Sequence, residues 1–384
     1  MNCIGIETLG GTAVRVAFDE EIRAVEPAGD GGGLYLSPGF IDLQVNGFLG
    51  VDFNDPKCTL PQIAGSIRGL FATGVTRFYP TVITGSPADM LGALRNLKCA
   101  KETLHEGAAI DGFHVEGPHI SPDDGPRGAH PLRWVRPPDL DEFHRWQEAT
   151  GNQVRIVTLA PDWPQACRYI EAITAEGVVA SIGHTSATAQ QIADAVGAGA
   201  SLSTHLGNGA HAVMRRHPNY IWEQLAEDRL MADFIVDGIH LPPSFLKVAL
   251  RAKTVARSVL VTDAAAPAGC PPGRYFLGEQ PVELTADNRV MLVGKERLAG
   301  SALRMDRGVE NLMRIAGLTL ADAFSMATTN AARAGRVPGR VAGLVPGDRA
   351  DLIQFSFNPS DLSIKIQATY LSGDKVYDGP GVPV

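Results

Sequence analysis

Residues 178–205 read Val178-Val179-Ala180-Ser181-Ile182-Gly183-His184-Thr185-Ser186-Ala187-Thr188-Ala189-Gln190-Gln191-Ile192-Ala193-Asp194-Ala195-Val196-Gly197-Ala198-Gly199-Ala200-Ser201-Leu202-Ser203-Thr204-His205. The stretch opens and closes on short apolar runs, 178–182 and 201–205, each ending in polar residues. Between them, 187–196 carries Ile192, Ala195 and Val196 on one face and Gln190, Gln191 and Asp194 mostly on another, the pattern of a helix laid on a core. Strand, loop, amphipathic helix, strand is a βαβ unit with buried parallel strands. The same rhythm runs outward in both directions, with apolar runs at 40–45, 75–80, 108–115 and 154–159 upstream and at 231–236 and 258–261 downstream. Eight such units in succession predict an α/β fold closed into a (β/α)8 TIM-type barrel. A doubly wound sheet would want a glycine-rich first turn, and Gly39-Phe40-Ile41-Asp42 offers none.

The two ends of the chain have a different texture. Val14, Val16 and Phe18 alternate with polar residues near Gly10-Gly11 and Gly31-Gly32-Gly33, and 352–357, 364–366 and 375–377 alternate again. We expect 1–37 and 342–384 to pair into one small β-sandwich beside a barrel spanning 38–341. The full length of 384 residues suits a barrel of about 250 residues with an appendage.

Composition narrows the function. Hydrophobic residues make up 45% and charged residues 20%, which excludes a disordered chain. The net charge is −8 and no basic block stands out, so nucleic acid is not an expected partner. A phosphorylated small molecule can still bind where a few basic groups converge. No run reaches about 18 apolar residues, so no membrane span is expected. Gly31-Gly32-Gly33 lacks the Lys-Ser/Thr of a phosphate loop and reads as a turn. Cys3, Cys58, Cys99, Cys167 and Cys270 show no paired spacing, and the start of the chain lacks a basic stretch followed by a long apolar run. Reduced thiols in a cytoplasmic enzyme are the expectation.

In such barrels the chemistry sits at the C-terminal ends of the strands. The polar residues there are Gln44 and Asn46 on the first run, Glu116 on the third, His184 on the fifth, His205 on the sixth, Asp237 and His240 after the seventh, and Asp263 on the eighth. One carboxylate and two imidazoles, Glu116, His184 and His205, have the composition of a catalytic zinc-like site with an open position. A cation there makes a water acidic enough to attack near neutral pH. Asp263 can orient that water, take its proton and return it to a leaving amine. Taken singly, each histidine could be a satisfied structural residue, and Asp263 a helix N-cap. Their coincidence at the ends of four strands favours chemistry.

The stretches 38–47, 114–118, 183–188, 204–206, 261–264, 298–301 and 327–332, in this order and spacing, resemble the amidohydrolase superfamily and, within it, the deacetylases of N-acetylated amino-sugar 6-phosphates. The resemblance implies metal-dependent hydrolysis of an acetamide, with N-acetylglucosamine 6-phosphate the foremost substrate, in a homodimer. It implies one divalent metal per subunit, zinc before iron(II) or manganese, on Glu116, His184 and His205, because Gln44 and Asn46 replace two imidazoles that elsewhere hold a second ion. It further implies that His130, beside Ala129, hydrogen-bonds the acetyl carbonyl oxygen. Asn208, Gly209, Arg216 and His240 would meet the phosphate, and Leu298, Ala299 and Gly300 the sugar through their backbone. The stretch Gly207-Asn208-Gly209-Ala210 departs from an aromatic followed by Asn-Ala-Met, which leads us to expect a roomier mouth. Two other readings remain: an amidohydrolase for a cyclic amide or N-acyl substrate without phosphate, and an inactive barrel serving as a binding module.

Overall fold

The computed structural model describes residues 1–338 and 343–379. Eight strands, Phe40–Val45, Val75–Ile83, Phe113–Glu116, Val154–Leu159, Val179–Ile182, Leu202–Ser203, Met231–Ile235 and Ser258–Val261, each pair with the next in chain order. We number them one to eight. Every ladder between them is parallel. The ring closes just past strand eight, where Asp263 N–H donates to Gln44 O at 3.0 Å and Asn46 N–H to Ala264 O at 2.7 Å. Strands one, three, five and eight are buried along their whole length, as a parallel sheet covered on both faces requires.

Helices Leu60–Phe71, Pro87–Thr103, Leu140–Thr150, Ala166–Ala175, Ala189–Gly197, Tyr220–Ala226 and Pro243–Lys253 return the chain between strands, and Met305–Asn311 and Leu320–Ala327 follow strand eight. The expected helix at 187–196 begins at Ala189. Thr188 and Gln191 form a reciprocal capping box there, which sets the start two residues later. Its buried face is Ile192, Ala195 and Val196, as read from the sequence. Among the described residues no helix is long and apolar enough to cross a membrane.

The barrel interior changes character along the strands. Ile156, Val179 and Leu202 belong to an apolar cluster with Tyr79, Ala331 and Ala332. Two residues further along the same strands come Thr158, Ser181 and Thr204. Thr158 Oγ1 lies 2.7 Å from His114 Nε2 and 2.6 Å from Thr204 Oγ1, which is also 2.6 Å from Ser181 Oγ. Buried polar groups are tolerated when they satisfy one another in this way. They form a hydrogen-bonded floor beneath the strand ends.

Both chain ends join in one seven-stranded sheet, ordered Asp374–Asp378, Ser363–Leu371, Leu352–Asn358, Tyr35–Pro38, Asn2–Glu7, Ala13–Phe18, Ile22–Pro27. Tyr35–Pro38 is the shared member, parallel to Asn2–Glu7 and antiparallel to Leu352–Asn358. Of the expected domain boundaries, 37/38 falls within that strand and 341/342 lies outside the described residues. Arg77 on strand two reaches across to this sheet, its Nε 2.7 Å from Asp351 Oδ2 with both side chains buried. A further three-stranded antiparallel sheet, Gly273–Leu277, Gln280–Leu284 and Val290–Leu292, is inserted after strand eight. It has its own small core of Leu277, Val282, Leu284, Val290 and Leu292 against Ala265 and Ala299.

Candidate active site

Glu116 is the last residue of strand three, and His184, His205 and Asp263 each lie two residues beyond strands five, six and eight. The chain turns sharply at these three positions, with φ of +51° at His184, +30° at His205 and +51° at Asp263. Side chains with a Cβ enter this left-handed region at a cost, and such strain gathers at functional sites. Here it turns three polar side chains into one cavity of about 600 Å³, which Glu116 also lines.

The four groups meet. Glu116 Oε1 lies 3.0 Å from His184 Nε2 and 2.9 Å from His205 Nε2. His184 Nδ1–H donates to Pro126 O at 2.8 Å, which fixes the tautomer and turns Nε2 inward. The backbone N–H of His205 is held by the Asp233 carboxylate of strand seven. His130 comes in from the loop after strand three, with its Nε2 3.3 Å from His184 Nε2. The potential ligand atoms of Glu116, His130 and His184 all lie within 4.8 Å of one another. Glu116, His130 and His184 therefore converge, and His205 joins them through the shared Glu116 oxygen.

The electrostatics suit a cation. Burial alone would lift Glu116, but hydrogen bonds from His184 and His205 hold it well below the usual carboxylate range. Burial alone would lower His205, yet Glu116 carries it up to about 9. A pocket that raises a buried imidazole this way is short of positive charge, and one carboxylate with two imidazoles is a normal donor set for a divalent transition ion.

Gln44 and Asn46 act on the opposite wall. Gln44 Nε2 donates to Glu116 Oε2 and to Asp263 Oδ1, each at 3.0 Å, and Asn46 Nδ2 donates to Asp263 Oδ1 at 2.7 Å. Two carboxamides thus grip one oxygen of Asp263. Burial, then the charge of Glu116, push the Asp263 carboxyl up to about 6. Asp263 caps no helix: its backbone is tied to strand one and, through Ser301 N–H at 2.9 Å, to the segment after the inserted sheet. Burial lowers His130 to about 3, so its ring is neutral.

Ala129, Asn208, Gly209, His240, Leu298, Ala299 and Gly300 all line the same cavity. His240 Nδ1 is 2.6 Å from Asp237 Oδ2, and Asn208 Nδ2 donates to His205 O at 3.2 Å. Arg216 is not on the wall: it is exposed on the loop leading to helix Tyr220–Ala226, its carbonyl accepting from Asn219. A Cβ on Gly207 would sit 2.7 Å from the Phe245 ring, and one on Gly209 would sit 2.6 Å from His184 Nδ1, so both glycines stand where the backbone packs closely against a ring. Sequence reading also missed Asp233 and Arg297. An aspartate inside the apolar run Met231–Ile235 was the available signal for Asp233; for Arg297 there was none.

Residues 35–376 match the family described as amidohydrolase. The chain is 36% identical to human N-acetylglucosamine-6-phosphate deacetylase over 372 residues, covering 94% of this chain and 88% of that one. It is 34% identical to the enzyme of the same name from Bacillus subtilis over 351 residues, covering 91% and 86%. The crystal structure of N-acetyl-D-glucosamine-6-phosphate deacetylase from Mycobacterium smegmatis superposes with a TM-score of 0.87 at 28% identity, covering 98% of this chain and 100% of that one.

Proposed function

The chain belongs to the amidohydrolase family, and from that premise we propose that it hydrolyses the acetamide of an N-acetylated amino-sugar 6-phosphate, N-acetylglucosamine 6-phosphate first among them, to the amino-sugar phosphate and acetate. The names of its relatives supply the substrate class. The observation that carries the chemistry is the meeting of Glu116, His184 and His205 opposite an Asp263 whose Oδ1 is gripped by two amides. A cavity of about 600 Å³ is the size of a small-molecule site.

Glu116, His184 and His205 would hold one divalent cation. His205 is chosen over His130 as the third ligand because it and His184 share one Glu116 oxygen at 2.9–3.0 Å, whereas His130, though within 4.8 Å of both Glu116 and His184, comes within hydrogen-bond distance only of His184. Zinc is our first assignment, with iron(II) and manganese compatible with the same donors. Bound there, the ion supplies a Lewis acid for the acetyl carbonyl and lowers the pKa of a water. Asp263 keeps Oδ2 for the attacking water, takes its proton, and hands that proton to the departing amine nitrogen. A carboxyl held near 6 is close enough to neutrality for both transfers. His130, neutral in its buried place, donates a ring N–H to the acetyl oxygen as negative charge develops. Asn208, Gly209 and His240 receive the phosphate, and the backbone of Leu298, Ala299 and Gly300 receives the sugar. Arg216 of the partner subunit would complete the phosphate site, since the chain's own copy faces outward; this makes the enzyme a homodimer. Its five cysteines are free, which supports a reducing, cytoplasmic setting.

The test is acetate release from the 6-phosphates of N-acetylglucosamine, N-acetylgalactosamine and N-acetylmannosamine and from the unphosphorylated sugars, with metal content measured on the same sample. We expect one equivalent of a divalent ion and a strong preference for a phosphorylated substrate. Equal rates without phosphate would move the reading to a general N-acyl hydrolase, and an ion-free, inactive protein to a binding module.

A further inference from the structure

Arg297 is the one arginine or lysine that lines the catalytic cavity among the described residues. Its position is set by the inserted sheet: Arg297 O accepts from Leu292 N–H at 2.9 Å, and Ala299 N–H donates to Val290 O at 3.0 Å. From this firm base its guanidinium crosses the mouth. Nη1 donates to Gly128 O at 2.9 Å and Nη2 to Asp124 Oδ1 at 3.0 Å. Both acceptors lie in the loop 123–130. Arg127 of that loop bonds the same Asp124 oxygen at 3.0 Å and the His130 carbonyl at 2.9 Å. The loop presses directly on the reaction centre: Pro126 O accepts from His184 Nδ1–H at 2.8 Å, and a Cβ on Gly128 would stand 3.0 Å from His184 Cε1.

We infer that Arg297 is a positioning residue that clasps the loop 123–130, so that Pro126 keeps His184 aimed and His130 stays over the acetyl group. The inference rests on the proposed deacetylation for what the loop does, and not for the clasp itself. The competing role for a lone cation in this cavity is direct contact with substrate phosphate. The geometry favours the clasp, because two of the guanidinium's donors already point at the loop and the Asp124 carboxylate offsets its charge.

The test compares wild type, Arg297→Gln and Arg297→Lys by hydrogen exchange of peptides covering 121–130, by metal content, and by kcat and KM for phosphorylated and unphosphorylated substrate. Arg297→Gln is expected to speed exchange in the loop and lower kcat about tenfold on either substrate, the scale of losing a group that supports a metal ligand or its neighbours. Lysine, which can reach one of the two acceptors, is expected to restore part of both. Arg289→Gln, on the same inserted segment with its own surface pair to Asp287, leaves both readouts unchanged. Unchanged exchange in Arg297→Gln overturns the clasp. A rise confined to KM for the phosphorylated substrate also overturns it, in favour of phosphate contact. If exchange rises as expected while the wild type itself releases no acetate, the clasp stands and the proposed reaction falls.

Discussion

Asp263→Asn separates a working acid from a structural one, because activity and stability should move in opposite directions. An asparagine can still present Oδ1 to Gln44 Nε2 and Asn46 Nδ2, so the 3.0 and 2.7 Å bonds have an acceptor. What it cannot do is take a proton, and removal of a general base costs about 10²–10⁴ in rate. Stability follows from the raised pKa. The carboxyl moves from 3.8 in the open chain to about 6 in the fold, first through burial and then through the charge of Glu116. Each unit is about 1.4 kcal/mol, so holding Asp263 ionised at neutral pH costs the fold on the order of 3 kcal/mol. The penalty is absent below pH 3.8, grows as pH rises toward 6, and is complete above it. Metal-stripped Asp263→Asn should therefore be about 2–3 kcal/mol more stable than stripped wild type at pH 7 and equal to it near pH 4. Denaturant titrations at the two pH values, beside single-turnover acetate release on reloaded enzyme, measure both sides. Near-normal turnover in the variant refutes the assignment of Asp263 as the proton carrier, and a loss of stability at pH 7 refutes the raised pKa.

Three further perturbations have defined outcomes. Lys253 is buried and donates from Nζ to Glu227 O at 2.7 Å and Leu230 O at 2.9 Å; Lys253→Met removes that donor from both carbonyls, Glu227 O keeping Leu230 N–H at 3.2 Å, and should cost about 2 kcal/mol by urea titration. Burial lowers this lysine to about 8, so the unfolded chain binds its proton more tightly, wild type gains stability as pH climbs from 8 toward 10.5, and the variant's deficit widens over that range. Arg77→Leu removes the buried cation between barrel and terminal sheet; Asp351 keeps Arg349, so we expect a loss of about 2 kcal/mol in a thermal melt, with kcat unchanged. Gln44→His with Asn46→His replaces two weak donors by imidazoles and should raise the metal content, read by elemental analysis, from one ion per chain to two.

The barrel was legible because its signal is local. Runs 40–45, 154–159 and 258–261 coincide with strands residue for residue, since an apolar run bounded by turns needs no partner to be read. Strand six is ladder-paired only at Leu202–Ser203, because the chain begins to turn before His205. Glu116, His184, His205 and Asp263 were found from their places at strand ends, a consequence of topology. The amide grip on Asp263 was not, because Gln44 and Asp263 are separated by 219 positions and meet only through ring closure. The inserted sheet at 273–292 does alternate, with Arg274, Tyr275 and Phe276 leading to buried Leu277, but its strands are short and half-exposed and lie outside the βα rhythm. Arg216 has a role only through the resemblance, and a single chain, in which it is exposed, gives it none.

The seam that shuts the barrel and the proposed proton carrier, Asp263, share the same few atoms. During synthesis, Gln44 and Asn46 leave the ribosome early and wait for more than half of the chain before Asp263 arrives to occupy them. On the proposed mechanism no nascent fragment ending short of that arrival can release acetate, however well its first strands have folded. Circular permutation that cuts the loop between strands four and five would shorten the chain between Gln44 and Asp263 from 219 positions to about 165. It should bring the onset of catalysis forward in refolding, since loop-closing contacts distant along the chain are the slow ones.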